Sequence, residues 1–159
     1  LVGLSKGVRF LSDQNGSGQF EEYTQNTTRE AIVQRYVPVA TNNSRGYRFL
    51  TTAVETDQSI YDNWQESGES PDGFGTHITG SSSGANGFDQ TQTGNPSMYT
   101  FDNSFTGDQS NAWNSIPNTE TRKLYPGKPY RIFIRGDRNY DLDAYPANPP
   151  NADVTLRAK

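Results

Sequence analysis

Cysteine is missing from this 159-residue chain, and histidine occurs once, as His77. The lack of cysteine excludes disulfide bridges, zinc–thiolate sites and cysteine nucleophiles. A Ser-His-Asp triad would have to use His77, which we expect to serve instead as a hydrogen-bonded loop anchor. No apolar run approaches the roughly 18 residues of a membrane-spanning helix, so we expect no membrane span.

Apolar residues are also scarce, at 31% of the chain, while Gly occurs 15 times and Pro 9 times. Such a composition excludes a large helical bundle because turn-forming residues stop helices. The aromatic share of 12% is too high for a disordered chain. We therefore predict an all-β fold, an antiparallel β-sandwich of jelly-roll type with long Gly-, Ser- and Asn-rich loops.

The charges balance at −4 net, with 14 basic and 18 acidic residues. This balance disfavours a general nucleic-acid binder. The sequence opens on Leu1 without an initiator Met or a signal peptide, so we expect residues 1–159 to be one module excised from a longer polypeptide. As an alternative, residues 1–30 end a preceding β-rich segment, and the sandwich caps a β-solenoid.

Short strands are predicted along the whole chain. Residues 7–11 and 19–23 flank a turn and are typical of a hairpin. Further strands are expected at 31–37, 47–54, 97–102, 130–134 and 154–156, of which 130–134 alternates most clearly between apolar and other residues. One helical turn is expected within 56–66, and residues 66–92 are expected to form a long ordered loop.

Several phrases follow one another in a familiar order: VQRYVP at 33–38, RGYRFLTTAV at 45–54, NWQE at 63–66, GTHITG at 75–80, PSMYTF at 96–101, PGKPYR at 126–131, RGDR at 135–138 and TLRA at 155–158. This series resembles an adhesin-like module of large secreted and cell-surface proteins of the Bacteroidota, which are commonly exported by type IX secretion. The resemblance implies an extracellular setting, a place in a modular array and neighbouring domains of the same chain as partners. It carries no catalytic residue with it.

An acidic loop is the sharpest candidate for a metal site. Oxygen-bearing side chains alternate there at Asp137, Asn139, Asp141 and Asp143. Ca²⁺ takes six to eight oxygen ligands, and such alternation opens many calcium loops. The usual glycine and closing glutamate are replaced by Leu142 and Asn148, so a solvated polar turn is the alternative. A weaker match at 13–18 is explained by the predicted hairpin turn.

Aromatic side chains in loop-like surroundings are candidates for stacking on sugars, namely Trp64, Tyr140 and Tyr145. For Trp64 and for Trp113 the alternative is that the indole completes a sparse core. Arg131, Arg135 and Arg138 form a basic stripe that either binds an anionic glycan or pairs with acids across the sheet. Glu66 and Glu69 are expected to be solvated.

Taken together, the residues predict a non-catalytic extracellular module with a structural or adhesive role, bound to neighbouring domains, glycans or cell-surface components. Calcium is the one cofactor that the sequence predicts. The alternative is a carbohydrate-binding module attached to a secreted polysaccharide-degrading enzyme.

Overall fold

A computed structural model describes residues 8–18, 31–38, 46–139, 141–142 and 153–159. Within these ranges the chain is mostly strand and loop, as predicted. The elements are β1 Val8–Phe10, β2 Ser12–Asp13, β3 Gly16–Ser17, β4 Ala31–Val37, β5 Gly46–Leu50, α1 Ile60–Asn63, β6 Thr79–Ser81, β7 Asp89–Gln90, β8 Met98–Phe101, β9 Trp113–Ser115, β10 Tyr130–Ile134 and β11 Val154–Ala158. Short 3-10 helices span Glu66–Gly68, Ala85–Gly87 and Gln109–Ala112. None of the described helices is long and apolar enough to cross a membrane.

Two larger sheets organise the strands. One has four strands in the order β5-β10-β8-β9, all antiparallel, with Tyr130 opposite Leu50 on one side and Thr100 on the other. The second has three strands in the order β1-β4-β11, in which β4 runs parallel to β1 and antiparallel to β11. The small pair β6-β7 is also parallel. The expectation of wholly antiparallel sheets is therefore wrong for these two pairings.

The predicted strands at 31–37 and 130–134 are confirmed at those bounds. Of the predicted N-terminal hairpin, the first strand is present as β1, which pairs with β4, and β2 pairs with β3 at the expected turn. The predicted second strand at 19–23 lies outside the described residues. The side chain of Asp13 accepts a hydrogen bond from the Asn15 backbone N–H at 2.7 Å and closes this tight turn. Residues 19–30 lie outside the described part, and β9 was not predicted.

Helix α1 is short but capped at its start. Ser59 Oγ accepts from the backbone N–H of Asp62 at 3.1 Å, and the Asp62 carboxylate accepts from the backbone N–H of Ser59 at 3.2 Å. This reciprocal capping box satisfies N–H groups that a helix start leaves unpaired. The hydrogen bond from the Ser59 hydroxyl lowers the pKa of Asp62. The helix thereby places Ile60 and Trp64 in the core.

A single apolar core joins α1 with both larger sheets. Its inward β10 members are Tyr130, Ile132 and Ile134, which alternate with partly exposed neighbours as predicted. The remaining members are Val37, Ile60, Trp64, Ile78, Phe88, Met98, Ile116, Leu124, Val154, Leu156 and Ala158.

A buried arginine holds the loops beyond this core together. Arg138, four residues after β10, binds Asp89 of β7 through two hydrogen bonds of 2.8 Å each. Its other N–H groups donate to the backbone carbonyls of Glu69, Gly68 and Thr76 at 2.7, 3.3 and 3.4 Å. All five donors of the guanidinium are thereby used. The loop from 66 to 92 is fixed because one side chain binds it at several points.

The partner Asp89 is equally well satisfied. Its carboxylate also accepts from the Gln65 amide at 3.0 Å and from the Ile78 backbone N–H at 2.9 Å, and His77 Nδ1 lies 3.4 Å away. Burial by itself raises the pKa of Asp89, but hydrogen bonds from His77 and Arg138, with the Arg138 charge, outweigh it. The pKa therefore lies well below its ordinary value.

A second buried ion pair ties the 3-10 helix to β11. The Glu66 carboxylate accepts from both Nε, at 2.9 Å, and a terminal nitrogen of Arg157. The expectation that Glu66 is solvated is wrong, because the neighbouring strand supplies it with a cation. Gly75 lies against this pair with φ +67°, and a Cβ there would come within 2.6 Å of Glu66 Cγ, so the close approach requires glycine.

Removing one partner of the Arg138–Asp89 pair tests its importance. We expect Asp89→Ala to lower the free energy of unfolding by about 3–5 kcal/mol, because it leaves a buried guanidinium without its counter-charge. Urea unfolding measures this change. The matched control is Asp57→Ala, which breaks the exposed 2.8 Å pair with Lys123 and should have no measurable effect. Equal effects of the two variants would contradict the role given to Arg138.

The lowered pKa of Asp89 also predicts a pH dependence. A carboxyl with a folded-state pKa below its unfolded value of about 3.9 contributes stability above that pH and loses it as the pH falls further. The stability gap between the wild type and Asp89→Asn should thus be largest near about pH 6 and shrink toward about pH 2.5. Urea titrations across this range measure the gap. A constant gap would show that the charge of Asp89 is unimportant.

Candidate functional site

The outer side of the four-stranded sheet carries a cluster of aromatic rings. Because Ile132 and Ile134 point into the core, Arg131 and Phe133 point away from it. The neighbouring strands place rings at the same level, and we call this set of six the aromatic face. Its rings are Tyr47 and Phe49 on β5, Tyr99 and Phe101 on β8, Trp113 on β9 and Phe133 on β10.

The rings of the aromatic face contact one another. Trp113 lies with its ring centroid 5.0 Å from Phe101 and 5.6 Å from Phe49, and Tyr47 lies 5.1 Å from Phe133 and 6.2 Å from Tyr99. The planes are inclined by 50° to 71°, the edge-to-face or tilted packing that aromatic pairs favour. The contacts form two sets of three rings, Trp113 with Phe101 and Phe49, and Tyr47 with Phe133 and Tyr99.

Part of this surface is open to solvent. Phe49 is 67% exposed and Tyr47 43% exposed. Large apolar side chains that gather on one exposed surface mark interaction sites more often than singly scattered ones do. The two rings on the edge strand β5 are therefore the accessible part of the aromatic face.

Arg131 lies at the centre of the aromatic face. Its guanidinium carbon is 4.5 Å from the ring centroid of Tyr99, 4.7 Å from that of Trp113 and 4.9 Å from that of Tyr47. At these distances the cation is attracted by the electron-rich faces of all three rings. Arg131 Nε is buried and has no hydrogen-bond partner within the described ranges.

The electrostatics of the face follow from this arrangement. Burial and the neighbouring Tyr47 raise the pKa of Tyr99, and the Arg131 charge opposes them. No outward position of the described β5, β8, β9 and β10 segments carries Asp or Glu. The face therefore supplies apolar ring surface, the Tyr47 hydroxyl and a cation, which are groups suited to binding, while the Tyr99 hydroxyl donates to the Pro96 carbonyl at 3.0 Å.

Comparison with known proteins adds no assignment. No protein-family model, curated protein or solved structure matches this chain. The functional argument therefore depends on the geometry of the described residues.

Of the predicted sugar-stacking residues, the structure describes Trp64, which lies outside the aromatic face. Trp64 is 3% exposed and packs edge to face on Tyr130 with 5.6 Å between ring centroids. Trp64 therefore lies in the core, which was the alternative to sugar stacking, and neighbouring side chains cover its ring in this conformation. Tyr140 and Tyr145 lie outside the described residues. Trp113 is half-buried and belongs to the aromatic face.

The predicted calcium loop is described only in part. The carboxylate of Asp137 is buried and accepts from the backbone N–H groups of Gly73 at 2.8 Å and Asn139 at 3.1 Å. Asn139 and Asp141 are exposed, and Asp143 lies outside the described residues. Among the residues with assigned positions, no three His, Asp or Glu side chains group around a point that could hold a metal. Calcium binding stays a prediction.

The remaining candidates have structural contacts. Arg138 binds Asp89 rather than continuing a basic stripe with Arg131. His77 is buried beside the same carboxylate, so it is a loop anchor that contacts a side chain. The segment 80–84 has the spacing G-x-S-x-G, but its central Ser82 is exposed and lacks the positive φ of a strained turn.

Sequence reasoning missed the aromatic face, although a signal for it was present. In 46–50 and 98–101 the large rings fall on alternate positions, and 130–134 places Arg131 and Phe133 opposite its apolar side. Such rings would have marked a second, outer aromatic layer if the three strands had been known to be neighbours. The strand order, which the sequence does not reveal, was the missing information.

Calcium binding at the acidic loop has a direct test. We expect Ca²⁺ to raise the melting temperature of the protein after treatment with EDTA. Asp141→Asn should remove this rise, because the variant loses a carboxylate ligand. Asp137→Ala should lower the melting temperature in EDTA as well as in calcium, since two backbone N–H groups lose their acceptor. If Ca²⁺ leaves the wild-type melting temperature unchanged, Asp137 acts only as a turn cap.

Proposed function

We propose that this chain is a non-catalytic binding module that adheres to polysaccharide through the aromatic face. The observation that carries the proposal is the exposure of Phe49 and Tyr47, each of which contacts further rings of the aromatic face. Apolar C–H groups on the face of a sugar ring pack well against an aromatic ring. Tyrosine adds a hydroxyl that can hydrogen-bond the sugar.

The inclination of the rings indicates whether a soluble or a crystalline polysaccharide fits the aromatic face. Tyr47 and Phe49 are each inclined by 50° to 71° to the rings that they contact, so these contacting pairs do not form the flat platform that a crystalline polysaccharide surface would need. Tilted rings form ridges and hollows that suit a single soluble glycan chain. We therefore expect soluble polysaccharides to bind and crystalline ones to be ignored.

The proposal includes the setting that the sequence resemblance implies. In this view the chain is an extracellular module of a bacterial surface protein of the Bacteroidota, within an array of further domains. In this proposal the two larger sheets are the layers of a β-sandwich. The core residues that both sheets contribute support this arrangement. We also propose that the strands of this sandwich are connected as in a jelly roll.

A structural role is the second candidate, and the same inclination of the rings favours it. Tilted rings interdigitate well with protein side chains, so a neighbouring domain of a longer chain could cover the aromatic face. The two functions differ in one respect: a module that only packs on its neighbour has no affinity for polysaccharide.

Truncation of the exposed rings tests the proposal. We expect Phe49→Ala and Tyr47→Ala each to weaken binding to a soluble polysaccharide by about tenfold, the loss of about 1.4 kcal/mol of contact energy typical of an interface anchor. Affinity electrophoresis in gels with dissolved xylan, mixed-linkage β-glucan, polygalacturonate or dextran sulfate measures binding.

The matched control is Tyr125→Ala. Tyr125 is 49% exposed, similar to Tyr47, but is not part of the aromatic face, so its truncation should leave retention unchanged. Melting temperatures of all three variants show that they are folded. If the wild type is retained in none of the gels, glycan binding is rejected and the structural role remains.

A further inference from the structure

Arg131 differs from the other arginines whose contacts hold the fold together. Arg138 and Arg157 each bind a carboxylate through two nitrogens. Arg131 is partly buried among three rings, its Nε is buried without a hydrogen-bond partner, and no carboxylate pairs with its guanidinium within the described residues. A buried polar group without a partner is rare in folded proteins and calls for an explanation.

Cation–π attraction accounts for only part of this arrangement. The three ring centroids lie 4.5 to 4.9 Å from the guanidinium carbon, within the range of cation–π attraction. They supply no acceptor for its N–H groups, which are donors only. These three rings, which we call the aromatic cage, therefore attract the cation but accept no hydrogen bond from its terminal N–H groups.

The surroundings of Arg131 strengthen this point. The chain has more acidic than basic residues, so acids to pair with are plentiful. None of them occupies an outward position on β5, β8, β9 or β10 in the described part of the sheet. With a net charge of −4, attraction of an anion must be local, within a screening length of about 8–10 Å.

We propose that the caged Arg131 binds the acidic group of an anionic polysaccharide, a polymer whose sugars carry carboxylate or sulfate. This inference rests on the proposed glycan-binding function and specifies its ligand. The acid accepts from the terminal N–H groups of the guanidinium, whose planar fork matches two oxygens of a carboxylate or sulfate; the buried Nε stays enclosed by the chain. The body of the sugar packs against the exposed rings Tyr47 and Phe49.

The chemistry of the cage favours arginine in this role over lysine. A guanidinium can stack between rings and still present its N–H edge, whereas an ammonium is a compact, strongly hydrated charge. The rings also displace water from one side of the cation, which strengthens its attraction for an anion. Binding thus depends on both the charge and the planar shape of Arg131.

A matched pair of ligands tests the inference on the unmodified chain. We expect polygalacturonate to bind at least about tenfold more tightly than its fully methyl-esterified form, because the ester has the same sugar backbone without the charge. Dextran sulfate against uncharged dextran repeats the comparison for sulfate and shows which acid is preferred. Isothermal titration calorimetry measures all four affinities.

Salt supplies a second measurement on the same chain. Raising NaCl from about 50 mM to about 500 mM should weaken binding of the acidic polymer, since screening acts on charge–charge attraction. Binding that does not respond to salt would overturn the inference.

Variants then locate the effect. Arg131→Gln should bring the affinity for polygalacturonate down to that for its ester, and Arg131→Lys should restore only part of it. Arg122→Gln is the control, because it removes one exposed positive charge outside the aromatic face and should change little. Melting temperatures and amide NMR spectra establish that the variants are folded.

The outcomes separate the two proposals. Equal affinity for the acidic and neutral members of each pair overturns the role of Arg131 and leaves a neutral-glycan module. Absence of binding to all four polymers overturns the proposed function itself. Loss of folding in Arg131→Gln changes neither conclusion, because the ligand pairs and the salt series use the wild-type chain.

Discussion

The ion pair between Arg138 and Asp89 is the contact on which the long loop depends. Few apolar side chains are available in residues 66–92, and β6 and β7 are too short to hold so much backbone by themselves. The guanidinium instead binds a strand carboxylate and three loop carbonyls at once. A buried pair of this kind adds little to stability compared with an apolar replacement. The pair instead fixes the conformation of the loop, because all five hydrogen bonds form in only one arrangement of the backbone.

Strand β10 connects this ionic cluster to the proposed binding surface. Its inward side chains Tyr130, Ile132 and Ile134 fill the core, its outward Arg131 lies in the aromatic cage, and the chain reaches Arg138 four residues later. A displacement of this strand would therefore change all three regions together. The core, which keeps β10 between β5 and β8, also fixes the positions of the rings that flank Arg131.

Sequence patterns predicted what depends on neighbouring residues and missed what depends on distant ones. The alternation of apolar residues at 130–134 predicted strand β10 and the side that faces the core, because successive side chains of a strand point to opposite sides of the sheet. Asp89 and Arg138 are 49 positions apart, and no local pattern links them. Glu66 was expected to be solvated for the same reason, since its partner Arg157 comes from a distant strand. The aromatic face was missed because it is assembled from four strands whose order is not encoded in any one of them.

Two arginines near one strand show opposite solutions to the cost of burying a cation. Arg138 has every N–H group satisfied and a carboxylate beside it. Arg131 has rings around it and no acceptor in the described part of the chain. The first case shows that this fold can complete the shell of an arginine where structure alone requires it. At Arg131 the described outward positions of the sheet carry no Asp or Glu, which is the difference that the proposed external acceptor accounts for.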